Sequence, residues 1–354
     1  MLNMENNFSV NQQKFLEQMN GLTSLPANKT FIKNLETDEM RNGFLVTSHR
    51  KKLWNVQIGL INEFDRVCKK HNLRWFADSG TLLGAARHKG FIPWDDDVDL
   101  IMLRPDYNKF LEVAPTEISY PYFFDNWYDY TIESENIPAE KDLPKFQYIT
   151  AEQQAKYPRR WFTQWPSFKL RDSRTTMIEF PDRKTIHQGI FIDVFVLDNV
   201  PPLPFAEQAL HFEVIRELII ATAIPHVIRQ ALDANQPLAI SRSDLEKFLK
   251  LPYRLRGKYT DEFAGKFFTD SEKFGCIRGF CGLGASFVND SKNYDKTIYL
   301  PFEEIEVPAP VGWENCLTVL YGNWREMIFT HTHTQTYSAD IPYTEYYRIS
   351  KDMV

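Results

Sequence analysis

The sequence predicts an α+β fold (α/β in the looser sense), a small mixed sheet with helices, extended by a mostly helical C-terminal half. Three observations predict it. Leu53, Val56, Leu60, Phe64 and Val67 recur at three- and four-residue steps, which is one apolar stripe of an amphipathic helix. Two apolar runs, Val98 to Leu103 and Gly189 to Asp198, read as strong strands bounded by turn residues. From about residue 204 the composition turns helical.

In chain order, residues 1–47 are polar and weakly periodic, with Gly21, Pro26 and Asn28 breaking any pattern, and read as an N-terminal arm. Ser48 caps a helix to about Lys70, His71-Asn72 ends it, and Leu73 to Ala77 forms the first strand. Ser79-Gly80 opens a helix of one or two turns. After the strand Val98 to Leu103, Pro105 opens a helix through Leu111. Residues 115–165, rich in Pro, Asp, Tyr and Trp, are expected as a long irregular insertion. Ser167 to Asp172 and Thr176 to Phe180 look like a strand pair joined at Ser173-Arg174. The strand Gly189 to Asp198 stops at Asn199 and Pro201-Pro202. Helical stretches follow over Phe205 to Leu232, kinked at Pro225, and over Ser243 to Lys250, where Ser243 and Glu246 have capping-box spacing. Phe302 to Pro308 reads as an edge strand and Glu314 to Tyr321 as a short helix. The expected organisation is an arm (1–47), a core (48–203) and a helical C-terminal region packed on it (204–354).

Composition removes several classes. Hydrophobic residues at 43% and charged residues at 25% of 354 are those of a globular chain, not a disordered one. A net charge of −6 disfavours a basic nucleic-acid-binding face. Aromatic residues make up 14%, expected mainly as core, with sugar stacking the other use. No basic and apolar leader is visible at the N-terminus and no run of about 18 apolar residues exists, so a cytoplasmic protein without a transmembrane segment is expected. Four cysteines fit a reducing compartment. Cys276, Cys281 and Cys316 with His331 and His333 could bind zinc, but the spacing is not that of a usual zinc site, and structural cysteines are the simpler reading.

The chemistry concentrates in Trp75 to Leu100. On a strand, Asp97 and Asp99 project to one face while Val98 and Leu100 turn to the core. Two such carboxylates repel unless a cation lies between them, and hard oxygen ligands suit Mg²⁺ or Mn²⁺. The Ser79-Gly80 turn offers backbone N–H groups and a positive helix end to a phosphate. Asp193 stands inside Ile-Phe-Ile-Asp-Val-Phe-Val, where isolated charge is costly unless paired or metal-bound; an edge strand facing water is the alternative. Lys169 and Arg171 share one strand face and suit a diphosphate, with a solvated basic face as the alternative. Arg87 and Lys89 join the phosphate-binding candidates, although with His88 they also suit a helix C-terminus. Asp95 and Asp96 stay outside the ligand set, because Asp96 alternates with Asp97 and Asp95 lies in a loop. Phe91, Trp94, Trp161 and Trp165 could stack on a base or sugar, core packing being the commoner fate.

A Gly-Ser pair in either order followed by Asp-x-Asp is the layout of the nucleotidyltransferase superfamily. The longer string Gly80-Thr-Leu-Leu-Gly-Ala-Ala-Arg-His-Lys-Gly-Phe-Ile-Pro-Trp-Asp-Asp-Asp-Val-Asp-Leu100 closely resembles the signature of the LicD family, which includes bacterial phosphocholine transferases and fukutin-related proteins. The run Lys169-Leu-Arg-Asp172 is similar to one in the same place in that family, and Leu320-Tyr-Gly-Asn-Trp324 resembles a shorter element. The resemblance is strong over 48–110, fair over 165–200 and patchy beyond 205. It implies a nucleotidyltransferase-like core in which Asp193 supplies a third carboxylate. Asp97, Asp99 and Asp193 would hold two Mg²⁺ or Mn²⁺ ions, and Ser79, Gly80, Arg87, Lys89, Lys169 and Arg171 would bind phosphate. It further implies transfer of a phosphocholine- or phospho-alditol-like group from a CDP-activated donor to a sugar hydroxyl, releasing CMP. The acceptor would be a cell-surface glycan precursor (teichoic acid or lipopolysaccharide) carried on a membrane lipid, met from the cytoplasm at the membrane surface. Three rivals remain open: nucleotidylyl transfer of an NMP to a small molecule, protein or RNA; a non-catalytic glycan-binding module whose acidic cluster binds Ca²⁺; and a scaffold with a degenerate site.

Overall fold

The structure, a computed structural model, describes residues 29–127, 167–179, 187–267, 271–276, 288–327 and 336–343. Among these, residues 126–127 and 203–266 belong to one compact unit, and 29–125, 167–202 and the described parts of 267–343 to a larger one.

The larger unit begins with a hairpin, β1 (Glu39–Arg41) and β2 (Phe44–Val46). Asn42 and Gly43 both take positive φ, the two-residue turn that suits the twist of paired strands. Part of the expected arm is therefore ordered secondary structure. Helix α1 (Ser48–Lys70) is capped by Thr47, one residue earlier than expected, whose side chain accepts from the Arg50 N–H. Strand β3 (Phe76–Ala77) leads into α2 (Ser79–His88) and β4 (Asp99–Leu103). Helix α3 (Arg104–Glu117) runs six residues past Leu111, because Tyr107, Phe110 and Ala114 continue its buried stripe. Strand β5 (Tyr122–Asn126) follows. The irregular segment expected from residue 115 thus opens as helix and strand, and 128–166 lies outside the described residues.

Strands β6 (Ser167–Asp172), β7 (Thr176–Ile178) and β8 (Ile190–Asn199) complete the core. The expected β6–β7 pair does not form. Asp172 accepts from the backbone N–H and the guanidinium of Arg174, and its carbonyl accepts from Thr175 Oγ1. That corner sends β7 away to pair with β13 (Thr336–Ser338), while β6 lies between β5 and β8.

Four helices make up the described residues of the smaller unit from 205 onward: α4 (Phe205–Ala223), α5 (Pro225–Asp233), α6 (Arg242–Phe248) and α7 (Tyr253–Ala264). Pro225 breaks the expected single stretch by starting α5. Ser241, not Ser243, caps α6, accepting from the Asp244 N–H. Leu218, Ala221, Ile228, Leu232, Leu245 and Phe248 form the core.

Beyond residue 267 the described residues of the C-terminal region mix strands with helix. Strands β9 (Lys273–Cys276) and β10 (Val288–Asp290) join the sheet of the larger unit. β6 covers β8 only over residues 190–195, and β9 takes the edge beyond it, with Leu197 opposite Cys276. The expected edge strand near 302–308 is instead a hairpin, β11 (Thr297–Phe302) and β12 (Ile305–Pro310), followed by α8 (Trp313–Tyr321). Among the described residues the central sheet has seven strands, running β10-β9-β8-β4-β3 with β5 and β6 branching from β8, and β4 parallel to β8.

Candidate active site

The site grows from the β3–α2 turn and the start of β4. Asp78 N–H donates to the Asp99 carbonyl at 3.0 Å, and Thr81 Oγ1 accepts from the Asp99 N–H at 3.0 Å. The first turn of α2 is therefore locked to the residue that opens β4. Ser79 adopts φ 45°, a left-handed conformation uncommon outside glycine, and its hydroxyl donates to Asp78 Oδ2 at 3.0 Å. Such strain persists only where surrounding contacts over-determine it.

Strand register then brings Asp193 beside Asp99. β4 and β8 are parallel with Asp99 opposite Asp193, so both side chains stand on one face of neighbouring strands, about 4.8 Å apart in the hydrogen-bonding direction. Asp193 N–H donates to the Val98 carbonyl. Because β8 lies between β4 and β6, Asp193 does not face water at an edge: its side chain is 14% exposed. Burial pushes its carboxyl up to about 6, with Asp99 and Glu179 adding to the rise and Lys169 opposing it.

Lys169 reaches this cluster from β6. Its ammonium donates to Asp193 Oδ2 and Glu179 Oε1, both at 3.0 Å, and sits 3.5 Å over the Phe191 ring. Arg171 has a different fate from the one expected. It is fully buried, donating to Asp125 Oδ2 (2.5 Å), Glu179 Oε2 (2.6 Å) and the Gly189 carbonyl (3.3 Å). A guanidinium so enclosed braces Glu179 rather than meeting a ligand phosphate. Burial alone would raise the Glu179 carboxyl, but Lys169 and Arg171 outweigh it and hold it below its ordinary value.

Arg87 and Lys89 also leave the phosphate set. They lie at the C-terminal end of α2, roughly 13 Å of helix rise from Ser79. Arg87 donates to the carbonyls of Trp324 and Glu326, and Lys89 is the left-handed C-cap beside a cavity of about 350 Å³ lined with Arg41, His88 and Glu303. Their charges complement the negative helix end, as cations at that position do.

Asp95 and Asp96, both left out of the ligand set on sequence, are the acids that stand with Asp97. From α1, Trp54 Nε1 and Arg50 Nη1 donate to its carbonyl and Gln57 Nε2 donates to that of Asp96, fixing the loop. One carboxylate oxygen from each of Asp95, Asp96 and Asp97 falls within 4.8 Å of the others. Burial pushes the Asp95 carboxyl well above its ordinary range, and Asp97, hydrogen-bonded to it, adds to the rise with Asp99 and Asp96. The alternation 95, 97, 99 was the available signal. Glu179 offered none beyond a charge at the end of a short strand.

These oxygens fit a hard divalent cation. Every donor is a carboxylate, and three of them lie close enough together that a cation between them would offset their mutual repulsion. Gly80 makes room for the arrangement, since a Cβ there would stand 2.7 Å from Asp95 Oδ2. Gly80→Ala is therefore expected to push the Asp95 carboxyl aside and cut turnover about 10²-fold, the scale of an ångström-level misplacement, with little loss of melting temperature. Steady-state kinetics alongside a thermal melt check this; wild-type turnover would show that Asp95 has no part in the site.

The remaining candidates resolve as packing. Phe91 stacks on Trp54 at 4.7 Å, and Trp94 is buried edge-on to Phe44 and His88. Cys316 is buried with its thiol 3.6 Å from the Tyr294 hydroxyl. Trp161, Trp165, Cys281, His331 and His333 lie outside the described residues. Asp198, near the end of β8, is a buried partner of Arg104. Ser173 and His187 lie 2.9 Å apart, but His187 Nδ1 accepts the Gly189 N–H, so Nε2 carries the proton and cannot act as a base toward that hydroxyl.

The chain is similar to known proteins. Residues 72–191 match the family model described as LicD/FKTN/FKRP, nucleotidyltransferase domain; Asp193 stands two residues beyond the match. The lipopolysaccharide cholinephosphotransferase LicD of Haemophilus influenzae is 24% identical over 273 residues, covering 77% of this chain and 89% of that protein. An uncharacterized protein of Rickettsia prowazekii is 27% identical over 124 residues, 34% of this chain and 47% of that protein. Residues 72–191 of this chain thus match the LicD/FKTN/FKRP nucleotidyltransferase domain model, and the chain is similar over most of its length to a LicD protein.

Proposed function

We propose that this chain is a phosphotransferase of the LicD type, moving a phosphocholine- or phospho-alditol-like group from a CDP-activated donor to a sugar hydroxyl of a surface-glycan precursor, with release of CMP. The observation that carries the reading is the register of Asp99 against Asp193, with Asp97 two residues upstream and the α2 N-terminus alongside. Three carboxylates beside a helix N-terminus can serve both halves of a diphosphate displacement. The similar H. influenzae protein, named for phosphocholine transfer to lipopolysaccharide, supports the substrate class.

Asp97, Asp99 and Asp193, with Asp95 in support, would hold Mg²⁺ or Mn²⁺, which would supply charge neutralisation and acidify the acceptor hydroxyl. The chain's own residues do the rest. N–H groups of the Ser79-Gly80 turn bind diphosphate oxygens through the positive helix end. Lys169 places a cation at Asp193 and offsets negative charge that builds on the transferring group. Asp193, its carboxyl displaced upward by burial, is suited to accept the proton of the attacking hydroxyl. Positioning and fixed charge thus supply most of the acceleration.

Nucleotidylyl transfer would use the same carboxylates with the other phosphorus as electrophile. A panel of CDP-activated donors (choline, ribitol, glycerol) with Mn²⁺ or Mg²⁺ separates the two readings. Free CMP and a substituted acceptor are expected; an acceptor carrying the nucleotide would overturn the assignment, and no metal-dependent cleavage of any donor would return the glycan-binding module to first place.

A further inference from the structure

A strip of exposed apolar and cationic side chains runs along the smaller unit and takes no part in the site described above. In α7, Tyr253, Arg256, Gly257, Thr260, Asp261 and Ala264 are buried. The outer face carries Arg254, Leu255, Lys258 and Tyr259, and Lys250 and Leu251 lead into it through the turn at Pro252. Leu255 and Tyr259 are 50% and 49% exposed and Leu251 is 36% exposed, although α7 has a buried side in which to place apolar residues. Spacing of four residues aligns Leu255 and Tyr259 in one row of α7 and Arg254 and Lys258 in the next, with Leu251 just ahead of the helix. From Leu249 to Thr260 there is no acidic residue, in a chain whose net charge is −6. The nearest acid along the outer face, Glu262, is itself exposed and lies 3.7 Å from Lys258.

Interleaved leucine, tyrosine, lysine and arginine on one helix face match the layers of a bilayer interface. Leucines enter the acyl boundary, a tyrosine ring sits at headgroup depth, and long cationic stems lie on the apolar layer with their charges at lipid phosphates. A polynucleotide would engage the cations but give Leu251 and Leu255 nowhere to go. We propose that this strip, Lys250 to Tyr259, docks the protein on an anionic membrane surface. No helix among the described residues is long and apolar enough to cross a membrane, and the proposed contact is made by surface side chains alone. The inference rests on surface chemistry alone, so it can fail or hold independently of the transfer reaction.

The test uses the full chain and extruded vesicles of phosphatidylcholine with or without phosphatidylglycerol, read by co-sedimentation, with no donor present. Partitioning onto anionic vesicles is expected, weakening with salt and on neutral lipid. Each cation near such a surface contributes about fivefold, so the triple variant K250E/R254E/K258E should partition about 100-fold more weakly. L255S/Y259S, which keeps every charge, should lose about tenfold. The control K109E/K292E/K296E changes three exposed lysines of the larger unit and should bind as wild type. Far-UV circular dichroism confirms folding, and if one strip variant does not fold the other decides. The proposal is overturned if the wild type ignores anionic vesicles or if the folded strip variants bind them undiminished. It is also overturned if single-stranded oligonucleotide binds wild type and L255S/Y259S equally and displaces the vesicles, since that outcome marks a polyanion site.

Discussion

Asp97→Ala and Asp99→Ala are each expected to lower turnover by about 10³-fold or more, while the metal-free protein melts at the same or a higher temperature. Loss on this scale follows from removing a group that holds charge at the reacting phosphate, where single preorganised contributions are worth about 10²–10³ and a metal several kcal/mol beyond that. The stability half is the more diagnostic. Asp95, Asp96 and Asp97 crowd within 4.8 Å, and Asp99 adds to the upward push on Asp95. Deleting one carboxylate removes repulsion from the fold. An acid retained for packing or a buried ion pair would behave the other way, since breaking such a pair costs about 3–5 kcal/mol. Mn²⁺ should raise the wild-type melting temperature and raise that of the variants much less. Wild-type turnover in either variant, or in excess chelator, would end the metal-dependent reading.

The parts of this molecule readable from sequence were those in which one period or one spacing decided the outcome. The stripe Leu53, Val56, Leu60, Phe64 and Val67 specified α1, whereas β4 begins only at Asp99, so Asp97 stands in the loop before it and outside the alternation used to pair the two. That Asp193 lies within a strand was legible from the apolar residues on both sides of it, and its shielding from water follows from β4 and β6 flanking that strand. What failed depended on partners distant in the chain. β7 pairs with β13, more than 150 residues away, and β9 joins β8 where β6 runs out. Neither edge is marked in the local pattern. Lys169 and Arg171 carry the same alternation and read alike, yet Arg171 ends enclosed by Asp125 and Glu179 while Lys169 reaches Asp193. Only the assembled sheet separates them. Arg87 and Lys89 were drawn into the phosphate set by closeness in sequence to the motif, but a helix separates its ends in space and in electrostatic sign. Asp95 was set aside because loop parity is unreliable, and it is the contacts from Trp54, Arg50 and Gln57 that shape the loop here.

Asp193→Asn isolates charge from packing, because the amide keeps the size of the carboxyl and can still accept from Lys169. Transfer to the acceptor is expected to fall about 10³-fold, with donor affinity changed much less, since Asp97, Asp99 and the α2 N-terminus still meet the diphosphate. A kcat-dominated loss in acceptor transfer, with near-normal donor binding in a fluorescence or calorimetric titration, is the expected pattern. The same substitution has a signature in the metal-free protein. Burial raises the Asp193 carboxyl from its ordinary 3.8 to about 6, so between those pH values the native state holds a proton that the unfolded chain has released. The stability this contributes is complete below about pH 4 and is lost as pH rises through about 6. Chelated wild type should therefore melt progressively lower over that window, and Asp193→Asn, with nothing to titrate there, should show a flatter profile and a higher melting temperature than wild type near neutrality. Divalent metal should remove most of that difference by stabilising wild type. If Asp193→Asn transfers at the wild-type rate and its melting profile parallels wild type across the window, Asp193 is a structural partner of Lys169 and the acceptor hydroxyl loses its proton elsewhere.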